Sequence, residues 1–372
     1  MNFLVNCSNL KAGGGLQVAD SICGQLVKYP QHHFVVVLSN YLDTTKERIN
    51  SYSNVEVLTY NIPNSFRTIV LGRDKTLERL VNINNINAVL TVFGPSRWKP
   101  QVPHLSGFAL PQLVIPESPY FTRMNRMERI KWYFWKAIRK WSLKRSANIF
   151  WTENPYISDR LKVLMKGQAD VYTASNYYNQ VFDMPEKWKR SIILPPFQGV
   201  TCLTVASPSK HKNFGIIVDI IRYLRKTYPN FKVRFVLTCK YEQWPLADDV
   251  MESVVYVGKT DVSECPHLYN QADIMFMPTL LECFSATYPE AMRMGVPIVT
   301  TDLEFARGLC GDAACYYSAI EAEAAAEAIY KVSCDKEYAK RLVDNGKEQL
   351  KSFDNYEQRT KKLVKILEDI AY

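Results

Sequence analysis

The chain has 372 residues, 47% of them hydrophobic, and no apolar run long enough to cross a bilayer; this argues against disorder and integral membrane insertion and for a globular protein of two domains. Its formal charge is +9, and its nine cysteines include no C-x-x-C pair, which speaks against a zinc site or a disulfide framework and for reduced thiols in a cytosol. The start, Met1 to Cys7, runs straight into a strand-like segment without the basic head and long apolar stretch of a signal peptide, so export is not expected.

In chain order, short apolar or β-branched runs alternate with helix-like or polar stretches: Phe3 to Cys7, Phe34 to Ser39, Val55 to Thr59, Ala88 to Phe93, Gln112 to Ile115, Ile149 to Thr152 and Val171 to Ala174. The pattern resumes with Cys202 to Ala206, Val233 to Thr238, Val254 to Val257, Ile274 to Met277 and Pro297 to Thr300. Such alternation predicts two doubly wound units, each a mostly parallel sheet covered by helices. The Pro-bearing polar stretch Asn176 to Gly199 reads as the join. Ligands of such sheets bind beyond the strand C-termini, so a cleft between the units is the expected site.

Within the first unit, Ser8 to Gln17 follows the first strand and opens a helix. Gly13, Gly14 and Gly15 would let backbone approach a phosphate or sugar, although the spacing is not the dinucleotide fingerprint and a flexible turn is the plainer reading of this loop alone. Further on, nine basic residues between Arg123 and Arg145 face one acid, Glu128, a net of +8 that holds almost the whole excess of the chain. Met124, Met127, Ile130, Phe134, Ile138 and Trp141 recur at helical spacing there, with Trp132 and Tyr133 among the basic positions. Two readings stay open: a surface helix that packs its apolar stripe on its own domain, or a helix lying on anionic lipid through Arg139, Lys140, Lys144, Arg145 and Trp132. No recognised nucleic-acid motif accompanies the patch, and no nucleic-acid partner is expected.

In the second unit, Ser207 to Phe214 follows a strand and precedes an apolar-periodic helix. Lys210 or Lys212 at that entrance could neutralise a diphosphate, though solvated lysines are common on any surface. The most informative stretch runs from Leu281 to Pro297 and carries Glu282 and Glu290 eight positions apart. A helix is expected to start near Ser285 or Thr287, carry Pro289 in its first turn and stop at Gly295. Glu282 then lies in a strand-to-helix loop, and the amides of Phe284 to Thr287 are free at a helix N-terminus, where a phosphate is stabilised. A carboxylate beside a diphosphate would repel it, so the two glutamates make better sense as acceptors from hydroxyls than as an acid/base pair. Taken alone, Glu290 is better read as a dipole-stabilised carboxylate and Glu282 as a solvated loop residue.

These pieces together resemble the retaining glycosyltransferases of the GT-B fold, glycosyltransferase family 4 (glycosyl transferases group 1), over most of the chain. The resemblance rests on the Gly13-Gly14-Gly15 loop, Lys210-His211-Lys212-Asn213, Val257-Gly258, Leu268-Tyr269-Asn270-Gln271-Ala272-Asp273, and the E-x7-E segment with Ala291-Met292 and Gly295-Val296-Pro297. It implies two Rossmann-like domains facing across a cleft: an acceptor domain over 1–176, a linker over 177–198, a nucleotide-sugar domain over 199–350, and a C-terminal helix over 351–372, for which packing back on the first domain is one arrangement. It implies that Glu290 binds the donor's ribose hydroxyls and that Glu282 faces the donor's sugar. Phe284, Ser285 and Ala286 would offer amides to the diphosphate or sugar, Gly258 would lie in a loop bearing on the base, and Lys212 would stabilise the departing diphosphate. Retention would use a leaving-group oxygen to take the acceptor's proton, with no metal and no other cofactor, and no D-x-D pair is present to hold a metal.

The chain departs from that pattern in places. The family's arginine before the phosphate lysine is absent from Val205-Ala206-Ser207, where Lys210 is the nearest substitute. The family's histidine after the fourth strand is absent from Val92 to Arg97, and His104, further on, suits a structural or acceptor-binding role. Cys283 and Ser285 stand where the family has glycines. The function implied is transfer of a sugar from a nucleotide sugar to a glycan or lipid-linked acceptor in bacterial surface polysaccharide synthesis (capsule, O-antigen or lipopolysaccharide), in the cytoplasm or on the inner membrane face. A degenerate nucleotide- or glycan-binding subunit and a nucleotide-sugar epimerase of the same fold are the alternatives.

Overall fold

The structure, a computed structural model, describes residues 1–372 except Ala12, Asn64, Phe66, Arg67, Ile69 and Val70, so that one residue of the glycine-bearing loop lies outside the described residues. The chain forms two compact units: Met1–Pro116, Met124–Asn176 and Asp354–Tyr372 make the first, and Glu117–Arg123 with Tyr177–Phe353 make the second.

The first unit holds a seven-stranded, wholly parallel sheet of β1 (Asn2–Cys7), β2 (His33–Leu38), β3 (Val55–Thr59), β4 (Ala88–Thr91), β5 (His104–Gly107), β6 (Ile149–Thr152) and β7 (Asp170–Thr173), in the order β3-β2-β1-β4-β5-β6-β7. The period-two alternation of strand side chains divides its core in two. Phe3, Val5 and Cys7 of β1, with Phe34, Val36 and Leu38 of β2, face Val18, Ala19 and Ile22 of the helix Gly14–Leu26 and Leu363, Val364 and Leu367 of the helix Tyr356–Ile370. Leu4, Val35, Val37 and Val89 face the other way, onto Leu77, Leu80 and Val81 of the helix Lys75–Ile83 and onto Trp98. Burial on both faces is what near-continuous apolar strands require.

The second unit repeats the scheme with β8 (Val200–Thr204), β9 (Val233–Leu237), β10 (Val254–Tyr256), β11 (Ile274–Met277), β12 (Ile298–Thr301) and β13 (Ala314–Tyr317), parallel throughout and ordered β10-β9-β8-β11-β12-β13. Its helices Ile216–Thr227 and Ala322–Cys334 pack their apolar stripes on Phe235, Leu237, Phe276 and Val299.

Two sequence expectations need correction. Gln112 to Ile115 is not a strand: Pro111 opens a short helix, Pro111–Val114, and proline preorganises a first helical turn while denying a ladder donor. The strand that fills that place is His104–Gly107, whose polar residues hid it, and β13 likewise escaped notice.

The helix Tyr356–Ile370 is held in the first unit by polar contacts as well as by its apolar stripe. The Arg359 guanidinium, almost wholly buried, donates to the Asn176 Oδ1 and to the Ser21 Oγ at 2.8 Å. Nearby Glu153 is buried too, and burial pushes its carboxyl up to about 7, with Arg359 and Asn176 pulling it back down. Asp354 accepts from the Ser175 amide at 2.9 Å, and His32 Nε2 meets Glu368 Oε1 at 2.7 Å. Removing one member of a buried charged cluster strands the other. Arg359→Ala is therefore expected to lower unfolding stability by about 3 kcal/mol, read from urea unfolding midpoints. Adding Glu153→Gln should recover part of that loss, and no loss at all in the single variant would show that the cluster contributes nothing.

Candidate functional site

The second unit carries Lys212, Glu282 and Glu290 on three local structures and brings the first two into direct contact. After β8 the chain makes a single 3-10 turn, Lys210–Lys212, closed by Asn213 in the left-handed region at φ 56°. Asparagine tolerates that conformation better than most non-glycine residues. Lys212 is turned inward, its side chain 15% exposed, and Lys210 lies in solvent. The Lys212 Nζ donates directly to Glu282 Oε1 in the loop after β11, and the Thr279 hydroxyl donates to the same oxygen at 3.1 Å. His211 Nε2 lies 4.0 Å from it, its ring lowered from the usual histidine range by burial and partly restored by the Glu282 charge.

The loop from Leu281 leads into the helix Thr287–Met294, which Gly295 stops. The amides of Phe284, Ser285, Ala286 and Thr287 take no acceptor among the described residues, so four donors remain at a helix N-terminus. The hydroxyls of Ser285 and Thr287 share a hydrogen bond of 2.8 Å, and the Phe284 ring packs edge-on to Phe353. Neither Cys283 nor Ser285 has positive φ. The loop therefore makes no conformational demand for glycine at those two positions, and the backbone reaches its path without one.

Glu290 sits within that helix and is 5% exposed. Burial raises its carboxyl to about 7, while a hydrogen bond from the Tyr269 hydroxyl at 3.1 Å lowers it. Tyr269 belongs to the Leu268–Asp273 stretch, so two motifs distant in sequence meet here. At the end of β10, Gly258 has φ 77°, which L side chains rarely adopt, and a side chain there would meet open space. Among the described residues no group of three or more His, Cys, Asp or Glu side chains is placed to hold a metal ion.

Three contacts around this loop had no signal in the sequence. They come from Glu117–Arg123, which lies between elements of the first unit in sequence but packs in the second. The Ser118 hydroxyl donates to the Leu280 carbonyl at 2.6 Å, the Tyr120 ring stands edge-on to His211, and the Arg123 guanidinium donates to Asn213 Oδ1. Arg123 thus brings a positive group to the residue after Lys212.

In the first unit, Gly13 has φ 72° and precedes the helix Gly14–Leu26, and a side chain at Gly13 or Gly14 would touch nothing within 4 Å. Gly15 is different: a Cβ there would stand 3.5 Å from Leu10 and 3.6 Å from Phe93. His104 is inaccessible. Its Nδ1 donates to the Ser146 carbonyl at 2.8 Å, which leaves Nε2 to accept from the Thr91 hydroxyl at 2.8 Å, and burial lowers the ring to about 4. Both ring nitrogens are occupied, so this histidine serves the sheet and offers nothing to an acceptor.

The residues expected to contact membrane lie on the helix Arg126–Ser146, opened by an Asn125–Glu128 capping box. Arg139 stacks 3.4 Å from the Trp135 ring and Arg145 stacks 4.3 Å from Trp141. Lys140 and Trp132 are half-buried, and Lys144 is exposed. No described helix is long and apolar enough to cross a membrane.

Residues 199–335, all within the second unit, match the family described as Glycosyl transferases group 1. No curated protein matches the chain in sequence. Among solved structures, sucrose-phosphate synthase from Thermosynechococcus elongatus is 13% identical with a TM-score of 0.68, over 99% of this chain and 98% of that one. A glycosyltransferase from Rickettsia africae is 14% identical with a TM-score of 0.68, over 99% and 98%. Anabaena Alr3699/HepE, solved with UDP-glucose, is 13% identical with a TM-score of 0.64, over 99% of each chain. At these identities the likeness is one of fold, and the fold is GT-B.

The His104 ring gives a pH test of its assignment. A folded value near 4 against an ordinary 6.5 means that the unfolded chain binds the extra proton first as pH falls. Its contribution is then complete above 6.5 and lost progressively down to about 4, a total on the order of 3 kcal/mol. His104→Gln should flatten the acid limb of stability against pH, and an unchanged slope in urea titrations from neutral pH down to the acid range would show that this ring is not the titrating group.

Proposed function

We propose that the chain is a glycosyltransferase that moves a sugar from a nucleotide-sugar donor to a glycan or lipid-linked acceptor with retention of configuration, in the cytoplasm, for bacterial surface polysaccharide such as capsule, O-antigen or lipopolysaccharide. The observation that carries this reading is the grouping of Lys212, Glu282 and the four unpaired amides of Phe284 to Thr287 within residues 199–335, with the buried Glu290 in the same helix.

The chemistry follows from charge. A departing nucleoside diphosphate gains negative charge as the glycosidic bond breaks, and fixed positive groups aimed at it lower the barrier more than they stabilise the intact donor. Lys212 and the helix N-terminus supply such groups. The Lys212 ammonium is held by Glu282. Donor binding lets the ammonium turn to the diphosphate, and it leaves Glu282 with an oxygen for a hydroxyl of the transferred sugar. Glu290, a single carboxylate in a buried place, accepts from the ribose hydroxyls. With Lys212 and the amides carrying the charge, the reading has no resident metal, and a phosphate oxygen takes the acceptor's proton. The Anabaena protein of like fold, solved with UDP-glucose, makes that compound the first probe.

A thermal-shift panel of nucleotide sugars identifies the donor, since a ligand bound only by the folded state raises its stability with the logarithm of saturation. Release of nucleoside diphosphate only in the presence of acceptor supports transfer. An altered sugar without acceptor supports epimerisation, and binding without turnover supports a binding subunit.

Glu290→Ala is expected to weaken donor binding by roughly 100-fold, the loss of charge-assisted hydrogen bonds to two hydroxyls; an unchanged calorimetric affinity sinks the ribose assignment. Because burial holds the Glu290 carboxyl near 7, donor binding must remove a proton below that pH, so affinity should fall about tenfold per pH unit under 7 and level off above it. Glu290→Gln should abolish that slope. Lys212→Ala should lower turnover by about 100-fold or more, and turnover within a few-fold of the unaltered protein would remove Lys212 from the reaction.

A further inference from the structure

We propose that the helix Arg126–Ser146 is a docking surface for an anionic lipid bilayer, on which it lies flat with Met127, Ile130, Phe134, Ile138 and Trp141 as the side chains that enter the apolar layer. This goes beyond the sugar-transfer reading and is measured without any nucleotide.

Of the 21 residues of the helix only Leu143 and Ser146, at its C-terminal end, are buried. The five apolar side chains stay 46% to 66% exposed, which excludes the arrangement in which the stripe packs on its own unit. At 3.6 residues per turn they fall within a sector of roughly 80°. Arg126 and Lys144 project along one border of that sector and Lys131 along the other, with the 73% exposed Tyr133 and, further round, the half-buried Lys140 beyond the first border. An apolar stripe edged by cations and a tyrosine has the layered polarity of a membrane interface, in which aromatics sit at headgroup depth and lysine stems reach up past them.

Charge chooses between occupants. A second copy laid along the stripe would bring a net of +8 per segment against another +8, and the one acid, Glu128, is engaged in the capping box. An anionic surface is the partner those charges attract. The geometry also revises the contact set. Trp132 and Arg139 lie on the far side of the helix from the stripe, and Arg139 is stacked on Trp135. Arg145 is folded over Trp141, with its guanidinium close to Gly72. Lys140 and Lys144 remain from the residues first singled out, joined by Arg126 and Lys131.

The test is co-sedimentation of the full chain with vesicles of phosphatidylcholine alone or mixed with phosphatidylglycerol. The anionic vesicles should bind roughly tenfold more protein or better, and high salt should release much of it. Phe134→Ser with Ile138→Ser should abolish binding to both vesicle types, and Lys140→Glu with Lys144→Glu should abolish the preference for anionic lipid. Trp132→Ala should change neither. All these side chains except the half-buried Trp132 and Lys140 are exposed, and unaltered circular dichroism confirms folding. Equal sedimentation of the unaltered protein and the two double variants overturns the proposal. So does a concentration-dependent dimer in the ultracentrifuge that the Phe134→Ser, Ile138→Ser pair dissolves, because the stripe would then be a contact between copies.

Discussion

Both sheets are parallel and covered on both faces, and this constraint decides where chemistry is possible in either unit. A parallel strand with buried faces has no side chain to spare for a solute along its length. Only the loops beyond the strand ends are free, and in the second unit those after β8, β10 and β11 carry Lys212, Gly258 and Glu282. The same constraint explains His104. It sits inside β5 with both ring nitrogens engaged, so a residue type often suspected of catalysis is here part of the sheet.

Much of this was legible in the sequence, and the limits follow from distance along the chain. The strands made of valine, isoleucine, leucine and phenylalanine stood out because burial on both faces leaves a continuous apolar run. β5 and β13 did not: His104, Ser106 and Gly107 acquire their meaning only from Thr91, Ser146 and neighbouring strands. The start and stop of the helix Thr287–Met294 were readable because a first-turn proline and glycine termination are local signals. The direct pairing of Lys212 with Glu282, 70 positions later, was not, and the contacts of Ser118, Tyr120 and Arg123 left no trace because their partners lie 90 to more than 160 positions away. Cys283 and Ser285 stand where the family pattern has glycines. The backbone adopts no left-handed conformation at either place, so the path of the loop does not require glycine there.

The pairing of Lys212 with Glu282 also gives the loop a defined arrangement. An inward lysine without a partner would pay the desolvation of its charge, and Glu282, itself largely buried, relieves that cost while Thr279 fixes the carboxylate. Asn213, held by Arg123, pins the turn that aims the lysine. The turn that carries the lysine is therefore held by its own contacts, and the move of the ammonium from Glu282 to a diphosphate is left to the side chain alone.

The helix Tyr356–Ile370 has a consequence for synthesis. It supplies Leu363, Val364 and Leu367 to the core that β1 and β2 build, so strands made first wait for a helix made more than 300 residues later. Until the segment 354–372 leaves the ribosome, one face of the first sheet presents Phe3, Val5, Phe34 and Val36 without part of their cover. The second unit, with Tyr177–Phe353 already emerged and Glu117–Arg123 made earlier still, has its residues available before the first is complete. For this chain the order of manufacture and the order in which cores can close are reversed, and the nascent first unit is the part that calls for protection from aggregation.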